Sequence, residues 1–394
     1  MAPAAGASPS GTAAAGLPMP APSAKGQRVL GWDFLRGLCA VAVAAYHYLY
    51  FTKLAELHTF GSYGVFMFFV LSGASLAYTY AGRIEAGRFS FPEFLFVRFW
   101  RLAPLYVAMM LMVVPTMAIW YGDAWRLGYT LALNATFLMG LYQPASHAIL
   151  AGGWSLGVEA MYYLVFPLMM WTLRSWRLAL GLFAVLLVIQ VAWISATVGA
   201  TVVPEQTWAY YNAPAFAAYF MGGCMIGVLQ LRYGQRVAQH WGAGAWRAGL
   251  ALIAAGFALM VAVNPPHAAQ ELLGWRGFLL GGLCFVMVAV AGTLSLPQVW
   301  AHVAKRLGDA TYGMYLIHPA LYFYALPALG LDSLKTGSAG ERLGLVVAML
   351  CTAFALALFS EHFFERPVRQ WSKRAWARYT TPLFTANAPR SGNT

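Results

Sequence analysis

Stretches of about twenty apolar residues recur ten times along this 394-residue chain, at about 30–51, 61–81, 102–121, 153–173, 177–197, 208–230, 245–263, 274–294, 308–330 and 342–363. Hydrocarbon about 30 Å thick is crossed by roughly 20 helical residues, and inside it every backbone N–H and C=O has to be satisfied within the segment. The pattern predicts an all-α, polytopic membrane helical bundle with about ten transmembrane helices. Hydrophobic residues make up 60% of the chain and charged residues 10%, which excludes an ordinary soluble domain. The segment 127–142 is short and contains Asn134. It reads as interfacial or re-entrant, with an eleventh crossing as the alternative.

Charge placement orients the bundle. With the N-terminus in the cytoplasm, twenty Lys and Arg residues fall on cytoplasmic segments and helix ends, and only Lys53, Arg126, Arg276, Lys335 and Arg342 lie opposite. That bias predicts cytoplasmic N and C termini. It also accounts for the net charge of +12 without a nucleic-acid partner. Residues 1–27, rich in Ala, Pro, Gly and Ser, lack the basic-then-apolar order of a secretory signal and read as a disordered cytoplasmic tail. Residues 379–394 read the same way, leaving 28–378 as the transmembrane domain. Cys39, Cys224, Cys284 and Cys351 all fall in predicted spans and show no metal-ligand spacing, so neither disulfides nor a metal site is expected.

Against this apolar background a few polar residues stand out. In "GWDFLRGLCAVAVAAYHYLY" (31–50), His47 follows Arg36 by eleven positions. At about 100° per residue the two return to within about 20° of one face, roughly 16 Å apart along the axis. Asp33 sits one turn before Arg36. His318 lies near the middle of the ninth span and Glu159 about one and a half turns into the fourth. Ionisable groups at such depth usually face a bundle interior or a watery cavity. Two readings stay open for them: a shared polar cavity, or a buried network that only fixes helix packing, with Asp33 and Arg36 as a structural pair.

"FPEFLFVRFWRLAPLY" places Arg98 and Arg101 three residues apart, on adjoining parts of one helix face at the predicted cytoplasmic boundary. Guanidinium forks suit phosphate oxygens. The alternative is a pair of positive-inside anchors on lipid headgroups. Arg366, in "EHFFERPVRQW", is expected at the same level at the end of the tenth span.

Taken in order, these pieces resemble the acyltransferase-3 family of integral-membrane acyltransferases, many of which O-acetylate bacterial surface glycans. "DFLRG" followed by His47 resembles the first-helix pattern, and "GVFMFFVLSGASLAY" the second. "RFWR" is similar to R-x-x-R, "WSLGVEAMYYLVFP" to W-S-L-x-x-E-x-x-Y/F, "TYGMYLIHP" to S-Y-x-x-Y-L-x-H, and "FERP" to E-R-P. Phe66 stands where the second-helix pattern often has Asp, and Ala74 where it often has Phe, so no acidic role is carried over to that helix. Ser72 and Gly73 match, either to contact substrate or to let helices pack closely.

The resemblance implies acetyl-CoA or another acyl-CoA as a cytoplasmic donor, a glycan or glycoside hydroxyl as acceptor, no metal, and a place in the bacterial inner membrane among its lipids. A neutral imidazole suits removal of a hydroxyl proton near neutral pH. That role is expected of His47, with an acetyl-imidazole intermediate as the second mechanism. Glu159 is expected near the outer face, orienting the imidazole or the sugar, and Arg36 guiding the donor or stabilising the oxyanion. Arg98 and Arg101 would hold the coenzyme phosphates, through a funnel opening between the first three helices. Asp33, Ser72, Trp154, Ser155, Tyr312, His318 and Arg366 are expected to bind substrate or shape the cavity. A secondary transporter or flippase is the competing class, since intramembrane His, Glu and Arg also mark transport pathways; a sensor or scaffold with a degenerate site is the third.

Overall fold

The computed structural model describes residues 28–121, 123–198, 210–242, 244–265 and 268–386. Within them the chain is helical, without strands. The long helices are α1 (Leu30–Phe51), α2 (His58–Glu85), α3 (Phe91–Tyr121), α4 (Ala124–Ala135), α5 (Gly153–Thr172), α6 (Trp176–Val198), α7 (Ala217–Trp241), α8 (Ala245–Ala262), α9 (Gly274–Gly292), α10 (Gln298–Ala320), α11 (Ala339–Ser360) and α12 (Arg366–Ala386). Seven stretches are long and apolar enough to cross a membrane by length and composition: α1, α2, α3 as far as Pro115, α6, α8, α9, and the run from α11 into α12. The protein is a multi-pass helical membrane protein.

Helices also occupy the three other expected spans, as α5, α7 and α10, of 20, 25 and 23 residues. They carry polar groups such as Glu159, Gln230 and His318 within their length. α4 spans 12 residues, about 18 Å, which is too short for a crossing. Asn134 near its end is fully buried and satisfied: its Oδ1 accepts from Tyr106 (2.6 Å) and from the Ile149 amide (3.0 Å), and its Nδ2 donates to Thr130 O and His147 O. α3 begins eleven residues earlier than the hydropathy run suggests, so Arg98 and Arg101 sit within a helix, two to three turns from its start. α12 runs to Ala386, so residues 379–386 are helical where the sequence suggests a tail. Residues 1–27 and 387–394 lie outside the described residues.

α2 is the central helix and packs most extensively on α7. Between them the backbones touch: a Cβ on Gly73 would strike Phe220 O, one on Gly223 would strike Val70 O, and one on Gly227 would strike Ala74 O. Close approach of this kind replaces the hydrophobic drive that lipid cannot supply between helices. It assigns Gly73 to packing, while its neighbour Ser72 points the other way, to Glu159.

Between α8 and α9, Glu271 is fully buried, and neither carboxyl oxygen has a hydrogen-bond partner among the described residues. Burial pushes this carboxyl from the usual 4.5 up to about 8, only partly opposed by the nearby Ser62 hydroxyl. Folding therefore takes up a proton across that interval. The contribution to stability is complete below about pH 4.5 and is lost as pH rises towards about 8. Glu271→Gln, permanently neutral, should unfold at a higher temperature than wild type at pH 8 and show a flatter pH dependence. Thermal unfolding of the micelle-solubilised protein across this range measures it, and an unaltered slope would mean that the carboxyl stays charged.

Candidate active site

α1 and α10 lie side by side and bring His47 and His318 together, with ring centroids 5.1 Å apart. His47 Nδ1 is 2.9 Å from Val43 O and 3.2 Å from His318 Nε2, and His318 Nδ1 is 3.0 Å from Met314 O. A carbonyl oxygen only accepts, so each Nδ1 carries a hydrogen. In the neutral pair His318 Nε2 is then an acceptor, and His47 Nδ1–H is shared between it and Val43 O. The tautomers follow from this network. They leave His47 Nε2 with its lone pair and no partner among the described residues. His318 is buried, and its carbonyl accepts from Tyr48 OH at 2.7 Å. His47 is half-buried.

A cavity of about 630 Å³ lies one helical turn from His318. It is lined by parts of α1, α2, α3, α5, α10 and the α11–α12 junction, a wider wall than the first three helices. On α2 the lining runs from Val65 to Arg83, 18 residues or about 27 Å of helix. Val65, Phe68, Ser155 and Tyr315 line its inner end. The Phe68 and Tyr315 rings meet edge to face at 5.9 Å, and Tyr315 OH bonds Ser155 Oγ (2.8 Å) and Gly152 O (3.0 Å). Neither histidine lines the cavity; His318 lies one turn beyond Tyr315, ring centroids 6.1 Å apart.

Charge in this cavity falls into two sets. Arg28 bonds Asp33 and lies 2.8 Å from Asp309, Arg36 is 3.5 Å from Asp33, and Arg369 bonds Glu361 and sits 3.7 Å from Glu365. Arg83, Arg98, Arg101 and Lys373 also line it, and have no carboxylate partner among the described residues. Arg98 lies over the Tyr80 ring at 5.5 Å and the Phe94 ring at 5.8 Å, and its buried Nε is unpartnered.

The sequence expectations fare unevenly in space. Asp33, Arg36, Ser72, Arg98, Arg101, Ser155, Glu159 and Tyr312 all line the cavity. Arg36 is held by Leu71 O at 2.9 Å and by Ser75 Oγ. It is eleven residues, or about 16 Å, from His47, too far to serve an oxyanion there. Glu159 does not orient His47: its Oε1 accepts from Ser72 Oγ and from Tyr163 OH (2.7 Å), beside the arginines. Trp154 is turned away from the cavity, stacked on Tyr211 at 4.0 Å. Arg366 is exposed and outside the lining. The turn Glu361–Glu365, a π-type turn between α11 and α12, presents Glu361 and Glu365 inward, so Arg369 takes the place expected of Arg366. No group of His, Cys, Asp and Glu among the described residues has metal-binding geometry.

The family described as an acyltransferase domain matches residues 29–359, which contain the histidine pair and most of the cavity. The chain belongs to the acyltransferase-3 family. It is similar to the peptidoglycan O-acetyltransferase OatA of Listeria monocytogenes, 25% identical over 372 residues, covering 86% of this chain and 55% of that protein. The chain thus spans about half the length of this curated relative. No solved structure gives a significant match.

Several cavity residues of this family member carry weaker sequence signals than those above. Tyr163 is one turn after Glu159, and Glu361, Glu365 and Arg369 repeat at four-residue intervals, both legible as one-face spacing. Tyr315 stands inside the matched "TYGMYLIHP". Asp309, Ser75, Arg83 and Lys373 have no local signal: they join the site only because helix ends distant in sequence converge on it.

Proposed function

We propose that this protein is an O-acyltransferase of ten membrane crossings that moves an acyl group, foremost acetyl, from cytoplasmic acyl-CoA to a hydroxyl of a cell-surface or exported glycan. The observation that carries the reading is the pairing of two sites on one axis: an imidazole with a free Nε2 lone pair, and beyond the Phe68–Tyr315 floor a long cavity holding four cations without carboxylate partners. Coenzyme A carries two charges on its pyrophosphate and about −1.5 to −2 on its phosphate monoester, which matches those four cations. A carrier-bound phosphopantetheine, with a single phosphodiester, would leave most of them uncompensated. The bias of Lys and Arg towards the mouth end supports a mouth open to the cytoplasm, as a bacterial inner-membrane protein would have it.

His47 Nε2 takes the proton of the acceptor hydroxyl as its oxygen attacks the thioester carbon. The tetrahedral intermediate expels the coenzyme thiolate, and the proton passes from Nε2 to sulfur. His318 keeps the His47 ring in the tautomer with Nε2 unprotonated. The thioester reaches that ring by parting the Phe68–Tyr315 contact. Glu159, through Ser72 and Tyr163, and Arg36, through Leu71 and Ser75, shape the donor channel. An acetyl-imidazole on the same Nε2 would use the same lone pair. The glycan acceptor and the acetyl group draw support from the similarity to OatA.

Membranes containing the protein, given acetyl-CoA labelled in the acetyl group, should transfer label into base-labile ester on carbohydrate. Movement of an unmodified solute with no ester formed would assign the chain to transport.

A further inference from the structure

We propose that Arg83 and Lys373 form a separate subsite for a phosphate monoester at the cavity mouth, which in the donor is the 3′-phosphate on the ribose of coenzyme A. The inference rests on the acyl-CoA reading above and goes beyond it, because R-x-x-R accounts for only two of the four unneutralised cations.

The argument begins with the cost of like charges. Arg83 and Arg98 both lie over the Tyr80 ring, their guanidinium carbons 5.7 and 5.5 Å from its centroid. Two cations held by one ring without a carboxylate between them repel, and a bound anion relieves that repulsion. Three of the acidic residues around the mouth are otherwise engaged. Glu85 is 3.9 Å from Arg232, and Glu361 and Glu365 hold Arg369, one turn before Lys373. Arg83 and Lys373 are both exposed at the mouth.

Position sets the four cations in order from the wall of the cavity to its mouth. Arg101 stands deeper in the wall, close enough to Arg98, Glu159, Tyr163 and Arg369 to interact electrostatically, and Arg98 stands between it and Arg83, with which it shares the Tyr80 ring. Arg83 belongs to the last turn of α2, and Lys373 to α12, across the mouth. Glu93, in the first turn of α3, also lines the cavity and has no cationic partner among the described residues. At the mouth itself this carboxylate makes the α2 and α12 side the favourable place for a monoester. A donor lying along the cavity puts its pyrophosphate against Arg98 and Arg101, its pantetheine arm towards Ser155 and Tyr315, and its ribose phosphate between Arg83 and Lys373.

The test compares acetyl-CoA with acetyl-dephospho-CoA, which lacks only the 3′-phosphate, using the purified full chain in micelles. Loss of charge-assisted hydrogen bonds should raise the wild-type KM for the dephospho donor about 10- to 100-fold, with kcat little changed. In Arg83→Ala with Lys373→Ala, the KM for acetyl-CoA should climb to that of the dephospho donor, so that the ratio of the two falls to about 1. Arg98→Ala should instead raise both and preserve the ratio. Equal KM values for the two donors in wild type, or a ratio the double variant leaves intact, would overturn the subsite while leaving the acyl-CoA reading standing. Transfer from neither donor would overturn both.

Discussion

His47→Asn should reduce acyl transfer by about 10²- to 10⁴-fold, the usual contribution of a positioned general base, while the protein remains folded and extractable from membranes. Asparagine is the informative replacement because its side-chain amide reproduces the Nδ1 donor to Val43 O and His318 Nε2 and removes only the Nε2 lone pair. His318→Gln should retain more activity than His318→Ala, since the glutamine carbonyl can stand where His318 Nε2 accepts. Initial rates with saturating acetyl-CoA measure both. Near-wild-type turnover in His47→Asn would remove the imidazole from the chemistry and leave the pair a packing feature joining α1 to α10.

Replacing both Arg98 and Arg101 by alanine should raise the donor KM on the order of 10²-fold or more, since each charge-assisted bond to phosphate contributes about 1.5–3 kcal/mol, and should leave the acceptor KM nearly constant. The unpartnered Arg98 Nε and the absence of a salt bridge from either residue, among the described residues, are what a phosphate site requires before its ligand arrives. Arg98→Lys should recover only part of the loss, because the ammonium keeps the charge but not the planar fork that lies over Tyr80 and Phe94. Isothermal titration of the protein in micelles with CoA gives the binding side of the same comparison. Unaltered affinity would assign the pair to lipid headgroups.

The floor of the cavity joins these two results. The donor cations and the histidine pair are separated by the Phe68–Tyr315 contact and the bond from Tyr315 to Ser155. Variants at the cations are therefore expected to change donor affinity, and variants at the histidines to change turnover. Arg36 and Glu159 belong with the cations: their partners Ser75, Leu71, Ser72 and Tyr163 all stand on the cavity side of that floor. Sequence periodicity sets Arg36 and His47 on one face, about 16 Å apart along the helix; in the structure Arg36 meets α2 and His47 meets α10.

What the sequence determined by itself is whatever one helix fixes internally: the apolar lengths that require a membrane, the shared face of Asp33, Arg36 and His47, the adjoining positions of Arg98 and Arg101, and the ordered motifs of the acyltransferase-3 family. Rise and rotation per residue fix angle and height along a single axis. They say nothing of which faces meet. Tertiary structure decided that His47 finds its partner 271 residues away in His318, that Glu159 bonds Ser72 rather than the imidazole, and that Arg369 turns inward where Arg366 stays outside. Those outcomes depend on which backbones can touch, as α2 and α7 do at Gly73, Gly223 and Gly227, and on a π-type turn at Glu361–Glu365 that resets the face α12 presents.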